Sequence, residues 1–189
     1  MAWVHALAVS GLLFVAGCAI NASVQFKTLA TALPTTAVVA VDVVDARNAD
    51  LLGGDKRRVG SIRNGYGMPF PVMESGPDRV TQLVKEATTD ALQQAGVATK
   101  ANAPRKLVAA VKEFWIDGFA GYKAVCEVEY TLRDAEGKVL WTTSAKGATG
   151  GMPMWGTSYA EEYLTKALAD CAAHAAEQFK TSAFQKAVL

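Results

Sequence analysis

Tyr122-Lys123-Ala124-Val125-Cys126-Glu127-Val128-Glu129-Tyr130-Thr131-Leu132 is the stretch whose reading decides the fold. Tyr122, Ala124, Cys126, Val128, Tyr130 and Leu132 fall on one side, and Lys123, Glu127, Glu129 and Thr131 on the other. Successive strand side chains point to opposite faces, so this is a half-buried strand with one wet face, the habit of antiparallel sheets. Asp134-Ala135-Glu136-Gly137 follows as a hairpin turn, with glycine where a positive φ is needed. Val139 to Lys146 returns from it, with Val139, Trp141, Thr143 and Ala145 sharing a face.

Working upstream, Leu107 to Ile116 reads as the strand before this hairpin. Residues 77–95 form an amphipathic helix. Pro77 and Asp78 suit its first turn, Val80, Leu83, Val84, Ala87, Ala91, Leu92 and Ala95 make its apolar stripe, and Gly96 supplies its stop. Asp45 to Gly76 reads as a long connection rich in glycine and proline, the kind of segment that is often functional. Val38 to Val44 is apolar on both faces and predicts a central strand. Downstream, Gly147 to Gly156 reads as a second glycine-rich loop. Ser158 and Glu161 form a capping box for a last helix, whose stripe runs from Ala160 through Leu164, Leu168 and Cys171 to Phe179. The order β–loop–α–β–β–β–α predicts an α+β fold. It is a two-layer sandwich: a mostly antiparallel sheet of about four strands with two helices packed on one face.

The N-terminus carries a different kind of signal. Leu12-Leu13-Phe14-Val15-Ala16-Gly17-Cys18 is an apolar run with an aliphatic residue three before a cysteine and two small residues between them. Small residues fit a signal-peptidase cleft, and the cysteine thiol is the nucleophile that takes a diacylglycerol. On this reading residues 1–17 are a lipoprotein signal peptide and Cys18 is the lipidated N-terminus. Residues 18–36 form the tether, with a short edge strand as the alternative, and residues 37–189 form a single periplasmic domain. The n-region, Met1-Ala2-Trp3-Val4-His5, lacks the usual Lys or Arg. A plain signal peptide, an uncleaved anchor and a buried core helix are the competing readings of the same run. Ala19 rather than Asp follows Cys18, a pattern that favours sorting to the outer membrane. Three acyl chains would make that attachment effectively permanent.

Composition narrows the function. The chain has 189 residues, 51% of them hydrophobic and 20% charged, with a net charge of +1. That length suits one domain, and the near-neutral balance offers no footprint for nucleic acid. No G-x-S-x-G, Walker-type or G-x-G-x-x-G motif occurs, and after removal of residues 1–17 the one histidine is His174. These residues predict no enzyme, no cofactor and no metal site. Asp42 with Asp45, and Glu127 with Glu129, are the carboxylate pairs, and the second reads as solvated alternation.

Three groups remain as candidate sites. Cys126 and Cys171 both point to the core, one from the strand and one from the last helix. They could meet as a disulfide, or stay as two buried thiols. Lys56, Arg57, Arg58 and Arg63 make a basic cluster, either solvated or a site for an anionic headgroup. Met152, Met154 and Trp155 make a candidate partner contact in the second glycine-rich loop.

Val41-Asp42-Val43-Val44-Asp45-Ala46-Arg47, then Val59-Gly60-Ser61-Ile62-Arg63-Asn64-Gly65-Tyr66-Gly67, following a lipobox, resembles the YajG-like bacterial lipoproteins over nearly the whole mature chain. The resemblance implies outer-membrane attachment and a periplasmic α/β domain, and the family has no established catalytic residues to carry over; palmitate is an acyl group expected from the lipobox itself. Asp45, Arg47, Arg63, Asn64 and Tyr66 are the motif's candidate binding residues, with a structural role as the other reading. Two functions follow as expectations. One is a non-enzymatic, lipid-anchored module on the periplasmic face of the outer membrane that binds or scaffolds an envelope protein partner. The other is a lipid or small-ligand carrier, accessory to an envelope assembly or transport system.

Overall fold

The computed structural model describes residues 19–28, 35, 37–63, 66–119, 121–151 and 158–189. Its elements are β1 (Ile20–Ala22), β2 (Ala37–Asp45), α1 (Ala49–Leu52), β3 (Arg58–Arg63), β4 (Pro69–Glu74), α2 (Arg79–Gln94), β5 (Val97–Thr99), β6 (Lys106–Gly118), β7 (Tyr122–Arg133), β8 (Val139–Gly151), α3 (Ser158–Phe179) and α4 (Ser182–Val188). The class is α+β, but the predicted architecture is corrected. The sheet is mixed and eight-stranded rather than a mostly antiparallel sheet of about four strands. Four helices rather than two are present among the described residues.

The decisive stretch behaves as read. β6, β7 and β8 form a long antiparallel meander, with Tyr122, Ala124, Cys126, Val128, Tyr130 and Leu132 all buried. On the wet face the Lys146 ammonium bridges the Glu127 carboxylate at 2.6 Å and Glu113 at 3.6 Å. The other edge of β6 is shared end to end. β2 runs parallel along Lys106–Val111, and β3 runs parallel along Ile116–Gly118. β5 adds to the free edge of β2, while β4 and then β1 add beyond β3. The long connection after Asp45 therefore contains two strands and a helical turn, and the tether begins with a strand. These pieces are short and interrupted by glycine and proline, so no full period of alternation announces them.

α2 and α3 lie side by side against one face of the sheet, α2 over β2, β5 and β6, and α3 over β7 and β8. The interlayer space is filled by Leu83, Leu92, Phe114, Tyr130, Leu164, Leu168 and Phe179, each 2% exposed or less. Burial of this kind contributes roughly 25 cal/mol per Å² of apolar surface and is the main force closing the sandwich. α4 docks by an aromatic cluster: Phe184 lies 4.8 Å from Phe179 and 4.7 Å from Trp141, while Tyr130 meets Phe179 edge-on at 5.1 Å. The Thr181 hydroxyl caps α4 by accepting from the Phe184 amide.

The alanine-rich α3 comes closest to the sheet at Gly147 of β8. A Cβ there would overlap the Ala167 carbonyl oxygen and the Cys171 nitrogen, which are backbone atoms that cannot swing aside. Gly147→Ala is therefore expected to lower stability by at least ~1–3 kcal/mol. Gly76→Ala, where a Cβ meets nothing within 4 Å, is expected to leave the urea midpoint almost unchanged. Chemical denaturation of the two variants side by side checks both.

Candidate functional site

The four described motif residues, Asp45, Arg47, Arg63 and Tyr66, divide into two places. Asp45 and Arg47 sit where β2 ends and the chain leaves the sheet; residues 46–57 loop outward before β3 rejoins β6. The departure point is marked by the Ala46 amide donating to the Val111 carbonyl at 3.0 Å. The Arg47 guanidinium closes this excursion. Its Nε and Nη2 each donate to the Asp45 carboxylate at 2.8 Å, a bidentate pair. Nη2 also donates to the Lys56 carbonyl at 2.6 Å, and Nη1 to the Arg58 carbonyl at 3.0 Å. Both side chains are buried, 3% and 6% exposed. Burial alone would raise the Asp45 carboxyl, but hydrogen bonds and the charge of Arg47, with a smaller contribution from Lys56, hold it below its ordinary 3.8. These four hydrogen bonds all run to groups of the chain itself. Through these contacts Asp45 and Arg47 pin both ends of the excursion.

A shallow cleft of about 190 Å³ lies beside this pin, lined by Leu51, Leu52, Lys112, Glu113, Phe114 and Trp115 among others. It is smaller than the ~300–1,000 Å³ typical of ligand pockets. Arg58, from the basic cluster, stacks over Trp115 with its guanidinium carbon 5.6 Å from the ring centroid. Arg57 pairs with Asp55 at 2.6 Å on the surface. The cluster is thus partly spent on local contacts.

Arg63 and Tyr66 lie elsewhere. Arg63 ends β3, five residues beyond Arg58, or about 16 Å along the strand. It stacks against Phe119 at 4.1 Å, and Phe119 is 63% exposed while Tyr66 is 91% exposed. Tyr66 and Met68 belong to the turn between β3 and β4, and Phe119 to the turn between β6 and β7. Register places both turns at one end of the sheet, because Arg63 pairs with Pro69 and Ile62 with Gly118. Asn64, Met152, Met154 and Trp155 lie outside the described residues, as does Cys18.

A further polar site was not visible in the sequence. The buried Glu74 carboxylate accepts from the Val24 amide at 3.2 Å, and the Arg79 guanidinium donates to the Val24 carbonyl at 2.9 Å. Together they clamp the segment after β1, whose Ala22 and Val24 are buried. Burial pushes the Glu74 carboxyl above its ordinary 4.5, against the pull of the Val24 and Ser75 amides and of Arg79. A lone acid at the end of Pro71-Val72-Met73-Glu74 is the only sequence trace of this clamp.

Cys126 and Cys171 are brought together across the sandwich, as buried free thiols. The hydrogen bond Cys126 shares with Cys171, together with burial, pushes its thiol well above the ordinary range. The Cys171 Sγ donates in turn to the Ala145 carbonyl at 3.4 Å. Among the described residues no group of three or more His, Cys, Asp or Glu is placed to hold a metal. Among them too, no helix is long and apolar enough to cross a membrane.

No family model matches the chain, and no curated protein matches it. Among solved structures it is similar to protein XCC0632 from Xanthomonas campestris, of family DUF330, with a TM-score of 0.62 at 15% identity over 89% of this chain and 97% of that one. A crystal structure of an uncharacterized protein matches with a TM-score of 0.51 at 12% identity, over 82% of this chain and 99% of that one. A minor lipoprotein from Acinetobacter baumannii matches at 0.44 and 13% identity, over 76% and 91% of the two chains. The first two share the fold with this chain; the third is too distant to carry an argument.

Removing one partner of the buried pin leaves the other charge uncompensated, so Arg47→Ala is expected to cost ~3–5 kcal/mol. Arg47→Lys should recover little, since one ammonium cannot bridge a carboxylate and two carbonyls. The Asp45 contribution is complete above pH 3.8 and lost as pH falls through the lower folded value, whereas that of Glu74 is complete below 4.5 and lost as pH rises through the higher one. Glu74→Gln should therefore flatten the stability profile above pH 4.5 and leave the acid limb in place. Urea midpoints measured across pH on the parent and these variants check all three expectations.

Proposed function

We propose that this chain is a lipid-anchored envelope protein, held by an acylated Cys18, which acts as a non-enzymatic binding or scaffolding module on the periplasmic face of the outer membrane. The observation that carries the reading is the run Val15-Ala16-Gly17-Cys18 ending an apolar segment immediately ahead of a folded strand. Cleavage before Cys18 would leave β1 and the rest of the domain intact. Ala19 in place of Asp supports the outer membrane over the inner one. The motif resemblance to the YajG-like lipoproteins supports the same family.

The carrier reading is weaker. Carriage of a lipid needs the sheet and helices to part around an apolar cavity, and here that space is occupied by Leu83, Phe114, Tyr130, Leu164 and Phe179. A protein partner, contacted through Met152, Met154 and Trp155, is the complementary part of the proposal.

Cys126 and Cys171 add a redox feature. Facing thiols in an oxidising compartment can close to a disulfide, losing two protons and two electrons to an exchanging disulfide that is reduced to two thiols. Since both sulfurs are buried, the exchange has to precede final closure of the sandwich.

Intact mass of protein purified from membranes without reductant tests these points together. The expected mass is that of residues 18–189 plus three acyl chains, less two protons if the thiols have paired. A mass that retains residues 1–17 would make the segment an uncleaved anchor and would sink the lipoprotein reading. Trp155→Ala should weaken a crosslink to the envelope partner, and an unchanged crosslinking pattern would remove that loop from the contact.

A further inference from the structure

We infer that the sheet end bearing Tyr66, Met68 and Phe119 rests in the interface of the bilayer that carries the N-terminal lipid. The inference builds on acylation at Cys18. Only Ala19 separates Cys18 from the start of β1, so the anchor lies within about 7 Å of Ile20, even with the chain fully extended. β1 cannot pull away to lengthen this link. Its Ile20–Ala22 pairs with Val72–Glu74, and the Glu74–Arg79 clamp holds Val24 just beyond. The domain is thus held at the membrane by almost no tether.

The direction of β1 decides which end is held there. β1 is parallel to β4, with Ile20 opposite Val72 and Ala22 opposite Glu74, so extending it backwards leads toward Pro69. Pro69 pairs with Arg63, Ile62 with Gly118, and Asp117 with Lys123. The turn before β4 and the turn between β6 and β7 therefore share the end from which the anchor emerges. With strands spaced ~4.8 Å apart, those turns lie roughly 7 and 17 Å to the side of β1.

The side chains there suit an interface. Tyr66 is 91%, Phe119 63% and Met68 55% exposed, which gathers three of the large exposed apolar residues at this end. Aromatic rings with a polar edge settle at the headgroup level. The Arg63 guanidinium stacked on Phe119 and the exposed Lys123 provide cations for lipid phosphates. The acidic groups nearby are largely engaged: the Asp117 carboxylate accepts from the Phe119 amide at 2.9 Å, and the Glu162 carboxylate from Lys166 at 2.6 Å. Glu161 adds one further negative charge in the first turn of α3. Apolar insertion rather than net charge is therefore the main contribution.

The test uses the full lipidated protein in phosphatidylethanolamine–phosphatidylglycerol vesicles with brominated acyl chains. A bimane label is placed at Tyr66→Cys, Phe119→Cys or, at the opposite end of the sheet, Ala135→Cys. Cys126 and Cys171 are 0% and 2% exposed and do not compete for the label, and all three new positions are on the surface. The labels at 66 and 119 should lose emission in brominated vesicles relative to unbrominated ones, while the label at 135 should not. A protein whose mass shows three acyl chains, but whose labels at 66 and 119 are no more quenched than the one at 135, overturns the surface alone. A protein without acyl chains overturns the anchor and the surface together.

Discussion

The architecture depends on how one strand edge is shared. β6 offers a single edge to two parallel strands, β2 and β3, and the chain must leave the sheet after Asp45 and return at Arg58. Leaving a sheet in its middle strips backbone groups of their partners, and buried polar groups without partners are costly. The Arg47 guanidinium answers this locally by joining the Asp45 carboxylate to the carbonyls of Lys56 and Arg58. Planar geometry and a permanent charge make arginine the side chain able to hold that many acceptors at once. With the two ends of the excursion pinned, β3 is held in line with β2, and β4 and β1 can add beyond it.

The consequence reaches the N-terminus. Because β3 is held at the far half of β6, the sheet widens there, and β1 finds an edge on β4. Residues 20–24 of the segment expected to be a tether thereby become part of the folded body, with Ala22 and Val24 buried and Glu74 and Arg79 gripping the Val24 backbone. A long tether would let a domain sample many orientations. A docked one restricts it, and in this way the packing of an edge strand bears on how the molecule presents itself to a surface.

The helical layer obeys a simpler constraint. α3 approaches β8 to the distance allowed by glycine at position 147 and alanines along its own face, and Phe179 then meets Tyr130, Trp141 and Phe184. The result is a filled interior in which Cys126 and Cys171 meet as buried free thiols.

Periodicity alone determined the meander of β6, β7 and β8 as far as Lys146, the central β2, and the stripes of α2 and α3, whereas the glycine-rich end of β8, read as loop, and the meeting of Cys126 with Cys171 were left to the tertiary structure. Each element read from its period has a repeat of two or of three to four residues sustained over many positions, and one buried face enforces it. The pairing of Asp45 with Arg47 was also within reach, because the partners are two residues apart. The short strands β1, β3, β4 and β5, the capped α4, and the sharing of the β6 edge were decided by tertiary structure. Their segments are too brief for a period to show, and parallel neighbours are chosen by crossovers and packing rather than by turns. The same holds for the motif residues. Five positions close in sequence suggested one site, but a strand carries its ends apart at about 3.3 Å per residue. Asp45 and Arg47 therefore went to the middle of the sheet as a structural pin, and Arg63 and Tyr66 to its exposed end.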